Sequence, residues 1–222
     1  MKNYNIAIDG PAGAGKSTIA KSIAKKLQFI YVDTGSMYRA VALYMIRQQI
    51  NPEDGTTITM ACNNIDVTIA YVNGEQQVIL NGENVNNLIR TEEVGKMSSA
   101  FAKHKAIRTK MVELQRNLAA KANVIMDGRD IGTVVLPDAD LKVYLTASTN
   151  ERARRRWNEL NDKGIACDFN EIEQDIIARD TQDMNREISP LRQAKDAVLI
   201  DSSNMNIDQV IDTIIRLYQD KC

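Results

Sequence analysis

Apolar residues recur along this chain in two rhythms. Short, mostly apolar runs stand at Asn5–Asp9 (Asn-Ile-Ala-Ile-Asp), Phe29–Val32, Asn123–Asp127, Leu141–Leu145 and Ala197–Asp201. Runs of this length, bounded by Gly or Asp, predict buried strands. Between them the spacing widens to three and four. Lys16–Leu27 sets Ile19, Ala20, Ile23, Ala24 and Leu27 on one helical face, and Ser36–Gln49 does the same with Met37, Ala40, Val41, Tyr44 and Met45. Thr91–Ala122 reads as mostly helical and charged, and Asn150–Lys163 as a very basic helix. Asp168–Arg186 reads as a helix with Ile172, Ile176 and Ile177 on its apolar face, and Ile207–Gln219 as an amphipathic closing helix.

Residues 63–89 show a different pattern. Asp66–Val72 alternates, Asn73-Gly74 turns the chain, Val78–Leu80 comes next, and Asn81-Gly82 turns it again. Asn-Gly between β-rich runs is a hairpin signal, so a small antiparallel excursion is expected here, inserted in an alternating strand–helix chain. Such alternation implies a mainly parallel sheet covered by helices, with ligands beyond the carboxyl ends of its strands. Asp9/Gly10, Asp33/Thr34 and Asp127/Gly128 close strands and should share that rim.

The bulk numbers narrow the function classes. A chain of 222 residues with 44% hydrophobic positions suits one α/β domain carrying an insertion. A net charge of −1 gives no global field toward nucleic acid or an anionic membrane, so an anionic ligand needs local arginines and lysines. Cys62, Cys167 and Cys222 are far apart and show no metal spacing, which fits a reducing compartment. His104, the only histidine, is flanked by Lys103 and Lys105 and reads as part of a solvated helix face. The first residues carry no apolar leader and no run approaches a membrane span, so a cytoplasmic protein is expected.

The chemistry starts at Gly10-Pro11-Ala12-Gly13-Ala14-Gly15-Lys16-Ser17, with Thr18 next. This matches G-x4-G-K-S between a strand and a helix. Backbone N–H groups and the helix's positive end would cradle phosphates, Lys16 would reach the β/γ-phosphates, and Ser17 would offer its hydroxyl to Mg²⁺. A chance Gly/Ala-rich turn would not need both flanking elements. ATP with Mg²⁺ is the expected donor.

Phosphoryl transfer to an anionic acceptor needs further cations near the same rim. Ser36 and Arg39 open the helix after the second strand, and Arg129 and Asp130 come directly after the strand ending at Asp127 and Gly128. A guanidinium binds phosphate oxygens in pairs. Arg179, Asp183 and Arg186 share one stripe at i, i+4, i+7, which fits a solvated salt-bridge face as well as a binding face. Arg152, Arg154, Arg155 and Arg156 repel one another unless solvated or facing a polyanion. A cap closing over ATP is one reading of them and a nucleic-acid patch the other; the net charge and the lack of interleaved aromatics favour the cap.

Four segments then point to a family: Ile8–Thr18, Asp33-Thr-Gly-Ser-Met-Tyr-Arg39, Asp127-Gly-Arg-Asp-Ile-Gly-Thr-Val-Val135 and Arg179-Asp-x-x-Asp-x-Asn-Arg186. Together they resemble the bacterial cytidylate kinases, nucleoside monophosphate kinases, over nearly the whole chain. The resemblance implies a P-loop NTPase-type three-layer α/β fold with a central parallel sheet, a small antiparallel β insertion and a helical lid. It implies one kinase chain with its core at about 1–60, 91–148 and 187–222, a monophosphate-binding insertion at about 61–90, and a lid at about 149–168. It implies ATP and CMP or dCMP as substrates, with Lys16, Arg39 and Arg129 catalytic. Residues 10–18 with Arg152, Arg155 and Arg156 would hold ATP. Arg39 and Arg129 would hold the acceptor phosphate, Ser99 (or its neighbour Ser98) and Arg108 the base, Arg179 and Asp183 the sugar, with Ser36 among the CMP-binding residues and Asp130 and Arg186 close by. A monomer acting without nucleic acid or membrane is expected. The rival readings are a kinase for another small acceptor and a nucleotide-dependent RNA-binding or regulatory protein.

Overall fold

The computed structural model describes residues 3–72 and 75–221. Its principal sheet has the order β2-β6-β1-β7-β8, built from β1 (Asn5–Asp9), β2 (Ile30–Asp33), β6 (Val124–Gly128), β7 (Leu141–Thr146) and β8 (Val198–Asp201). β1 runs parallel to β6 and β7, and β8 runs parallel to β7. Ile6, Ala7 and Ile8 in the central strand β1 are all fully buried. Burial of both faces is why the strand is an unbroken apolar run rather than an alternating one.

The described chain forms two compact units: residues up to Tyr31 with those from Ala122 onward, and Val32–Lys121. In the first, α1 (Lys16–Leu27) and α8 (Ile207–Lys221) pack on each other, Ile19, Ile23, Val210, Ile211 and Ile214 meeting Ile6, Ile8, Ile125, Val143 and Leu145 from the sheet. α6 (Thr149–Asp162) pairs with α7 (Phe169–Asn185). Their connection turns at Gly164, whose φ of +70° is in the left-handed region. The second unit holds α2 (Thr34–Arg47), α3 (Gly55–Cys62), β3 (Val67–Val72), β4 (Glu75–Leu80), β5 (Glu83–Asn84), α4 (Glu92–Phe101) and α5 (Lys105–Ala119). There α2 packs on β4, α4 and α5, with Met37, Met45, Ile58, Phe101 and Met111 buried.

The expected hairpin is present: β3 pairs antiparallel with β4, and β4 with β5. Asn73-Gly74 lies outside the described residues. At the second turn Asn81 and Gly82 have φ of 48° and 85° between the paired Leu80 and Glu83, the two positive angles a type I′ turn requires. Asn81 also fixes the excursion's ends, its Oδ1 accepting from Asp66 N (2.7 Å) and its Nδ2 donating to Asn64 O (3.1 Å).

Several expectations need correction. The helix α3 had no sequence counterpart. The 91–122 segment breaks at Ala102–His104 into α4 and α5, each with its own N-cap. α2 starts two residues early, because the Asp33 carboxylate accepts from Ser36 N (2.9 Å) and caps it. Ile177 faces solvent at 42% exposure, and the buried positions of α7 are Ile176 and Asp180. His104 is not on a solvated helix face; it is the half-buried N-cap of α5, with Nε2 2.7 Å from the Pro52 carbonyl. Among the described residues no helix is long and apolar enough to cross a membrane.

Candidate active site

Between β1 and α1 the chain turns on glycines. A side chain at Gly10 would put its Cβ 1.9 Å from the Leu145 carbonyl oxygen, so only glycine lets the loop leave the sheet here. Gly15 caps α1 at φ 85°, leaving the first N–H groups of the helix without a side-chain cap and available to an anion. Lys16 is buried, and its Nζ donates to the Pro11 carbonyl (2.7 Å) across the loop. Burial, and then the Arg129 guanidinium, push the Lys16 amine well below its ordinary range; Asp127 and Asp9 oppose them. Ser17 Oγ donates to Asp127 Oδ2 (2.7 Å), and Tyr31 OH donates to the other oxygen (3.1 Å).

Asp9, the last residue of β1, anchors the chain as it leaves β6. Its two carboxylate oxygens accept from Ile131 N and Gly132 N, both at 2.7 Å. Those N–H groups open a π-helical turn over Ile131–Val135, directly after Arg129 and Asp130. Burial raises the Asp9 carboxyl to about 6 against the lowering pull of these two bonds.

The stripe on α7 is not a solvated face. Arg129 Nε pairs with Asp183 Oδ2 (2.8 Å), and Arg186 approaches Asp183 (3.6 Å) and Asp130 (3.8 Å). Arg129, Asp183, Arg186 and Asp130 are 19%, 13%, 10% and 7% exposed, so these charges are held by one another rather than by water. Arg186 is not helical; it is the extended residue that ends α7, and its Nε donates to the Ser189 carbonyl. Burial would raise the Asp183 carboxyl, but Arg129, Arg186 and Arg179 together hold it below its ordinary range. Arg179 also bears on Lys16 electrostatically.

The four arginines of α6 do not form a solvated quartet either; each has its own partner. Arg152 is buried, donates to the Ala147 carbonyl (2.9 Å) and the Ala12 carbonyl (2.8 Å), and pairs with Asp180 (2.6 Å). Arg155 pairs with Glu151 (3.0 Å) and donates to the Ser202 carbonyl (2.8 Å), its Nη1 lying 3.9 Å from where a Gly15 Cβ would be. Arg154 bonds Glu151 and Asn150, and the exposed Arg156 pairs with Glu159.

The remaining candidates belong to the second unit. Ser36 is buried, donates to the Asp33 carbonyl (2.7 Å) and accepts from Gln76 Nε2 (3.0 Å). Gln76, on the inserted hairpin, also accepts from Asp33 N (2.9 Å) and so bolts β4 to the start of α2. Arg108 is buried, donates to the Ala102 carbonyl (3.2 Å), and holds its guanidinium over the Tyr38 ring (5.5 Å). Ser98 is buried and Ser99 half-buried on α4. Arg39 is half-buried, and its guanidinium makes no hydrogen bond or ion pair to another described residue.

The first unit thus brings Lys16, Ser17, Arg129, Asp130, Arg152, Arg155, Arg179, Asp183 and Arg186 around one loop, and the second holds Ser36, Arg39, Ser99 and Arg108. Two residues were missed from sequence. Asp127 was noted only as a strand end, though an apolar strand closing in Asp beside a G-K-S loop is a metal-site signal. Asp180 carried no signal beyond its place between Arg179 and Asp183.

The cytidylate kinase family model matches residues 6–220. The cytidylate kinase of Caldicellulosiruptor saccharolyticus is 49% identical over 218 residues, covering 98% of this chain and 96% of that protein. That of Alkaliphilus metalliredigens is 49% identical over 221 residues, covering 100% and 99%. An uncharacterized protein from Eubacterium ventriosum, 13% identical, shares the fold at a TM-score of 0.54 over 99% of both chains. With a match across almost its full length, this chain belongs to the cytidylate kinase family.

Proposed function

We propose that this chain transfers the γ-phosphate of ATP to CMP or dCMP, giving ADP and CDP or dCDP. One arrangement carries the reading beyond family membership: Asp127, which accepts from the P-loop Ser17 Oγ at 2.7 Å beside Lys16, stands two residues before Arg129, whose guanidinium Asp183 holds at 2.8 Å. A donor cation and an acceptor-side cation therefore bear on one spot, where a phosphoryl group in transit would carry its charge.

No side chain has to act as nucleophile. An oxygen of the acceptor phosphate attacks the γ-phosphorus in line, and the protein positions and neutralises. Lys16 exchanges the Pro11 carbonyl for β/γ-phosphate oxygens. Ser17 and Asp127 present a hydroxyl and a carboxylate 2.7 Å apart, an oxygen pair suited to Mg²⁺ directly or through water. When bound, Mg²⁺ would neutralise the phosphate oxygens. Arg129 and Arg39 hold the acceptor phosphate, Arg179 and Asp183 the sugar, and Arg152, Arg155 and Arg156 serve the donor side as part of a lid.

Ser99 (or its neighbour Ser98) and Arg108 read the base, with Asp130 and Arg186 close to the acceptor. A carboxylate can accept from the cytosine amino group and a guanidinium can donate to its ring acceptors, whereas uracil would leave the carboxylate without a donor. An unsatisfied group of that kind costs roughly 1–3 kcal/mol. The reading takes the enzyme as a cytoplasmic monomer that acts without nucleic acid or membrane. An ADP-release assay over CMP, dCMP, UMP, AMP and shikimate tests it. Turnover should be fastest with the cytidylates, and preference for another acceptor would overturn the assignment.

A further inference from the structure

Asp180 has a geometry that the phosphotransfer reading leaves unused. It is 8% exposed, on the last turns of α7, and both its oxygens are engaged. Oδ1 accepts from the backbone N–H of Ala12 in the P-loop (3.3 Å), and Oδ2 pairs with Arg152 (2.6 Å). Arg152 in turn donates to the carbonyl of the same Ala12 (2.8 Å). Both backbone groups of one P-loop residue are therefore clamped by a single buried ion pair.

Three residues further along α7, Asp183 holds Arg129 at 2.8 Å, and Arg186 at the helix end reaches Asp130. Residues three apart lie on one helical face. A single turn thus grips the donor loop with one carboxylate and the acceptor-side guanidinium with the next. When a phosphate takes Arg129 from Asp183, the load on that turn changes, and Asp180 on the same turn carries the change to Ala12.

We propose that Asp180 is a positioning residue that couples the acceptor site to the P-loop, so that CMP and ATP bind cooperatively through it. The proposal rests on the phosphotransfer reading above. Coupling of this kind is reciprocal: each nucleotide tightens the other by the same factor. An asparagine at 180 keeps the shape and the bond from Ala12 N–H but loses the charge that holds Arg152, so Arg152 no longer fixes the other side of the Ala12 peptide.

The test is titration calorimetry on the full chain, with a non-hydrolysable ATP analogue added alone and in saturating CMP. Wild type should show the analogue tightened by CMP about 10-fold, and Asp180→Asn should reduce the factor to under about 2-fold. CMP affinity measured alone should stay within about 3-fold of wild type in that variant, since Asp183 and Arg129 are untouched. A coupling factor that is unity in wild type, or unchanged in the variant, overturns the proposal while leaving the kinase reading intact. Failure of wild type to bind CMP at all would instead defeat the kinase reading, and this proposal with it. Should Asp180→Asn not fold, the wild-type Ala12 amide decides. Its hydrogen exchange should slow when CMP alone is added, and unchanged exchange would overturn the coupling.

Discussion

The two units of this molecule hold their candidate binding cations differently. In the first, Arg152 is buried against Asp180, and the half-buried Arg129 and Arg186 are paired with Asp183 and Asp130. In the second, Arg39 is half-buried and its guanidinium has no hydrogen-bond or ion-pair partner among the described residues. The first arrangement is preorganised: the charges are already fixed, and removing one leaves its partner stranded. The second leaves its guanidinium for a ligand to engage, so its loss should be felt in binding and hardly in folding.

The largest effect expected belongs to the first unit. Lys16→Ala should lower kcat by about 100- to 1,000-fold, the range for loss of one preorganised electrostatic donor. Steady-state ADP release measures it, and near-normal turnover would break the claim that this loop carries the transferring phosphate.

The comparison itself is sharpened by paired arginine deletions read by denaturant unfolding. Arg129→Ala should cost about 1–3 kcal/mol, because the Asp183 carboxylate, 13% exposed, loses its closest partner. Arg39→Ala should stay within about 0.5 kcal/mol of wild type. Equal destabilisation by the two would erase the distinction drawn between the units.

A smaller effect appears with pH. The folded structure holds Asp183 below its ordinary value of 3.8. Its charged form therefore stabilises the fold above 3.8, and that contribution is lost as pH falls through the depressed value. Asp9 runs in the opposite sense. Raised to about 6, it contributes stability below its ordinary value of 3.8 that is lost as pH rises through about 6. Asp183→Asn should flatten the acid limb of the stability curve and leave the slope between 3.8 and about 6 unchanged. A change confined to the higher window would assign the acid sensitivity to Asp9 instead.

The legible parts of the sequence were those fixed by local periodicity or by a backbone constraint. The five strands are short, mostly apolar runs (only β7 is interrupted, by Lys142), α1 repeats at helical spacing, and Asn81-Gly82 demands its turn, so each could be read without tertiary information. α3 could not. Its stretch Gly-Thr-Thr-Ile-Thr-Met-Ala-Cys is rich in threonine, a weak helix former, and it is held by an Asp54 cap that accepts from Thr57 N (3.0 Å) and by packing on α5. In the site, the glycines and Lys16 were legible because a phosphate-binding loop needs them in order. The pairing of the arginines was not, since Arg152 finds Asp180 and Arg129 finds Asp183 only through the packing of distant segments. Spacing alone placed Ile177 inside, yet the buried position is Asp180, whose carboxylate serves the Ala12 peptide.

The central claim is that donor and acceptor are held by different charges around one loop. Equilibrium binding to Arg129→Ala, with CMP and an ATP analogue each measured alone, tests it most directly. CMP affinity should fall by about 10-fold or more, roughly 1.4 kcal/mol, while the analogue stays within about 2-fold of wild type. An equal loss on both nucleotides would contradict the account.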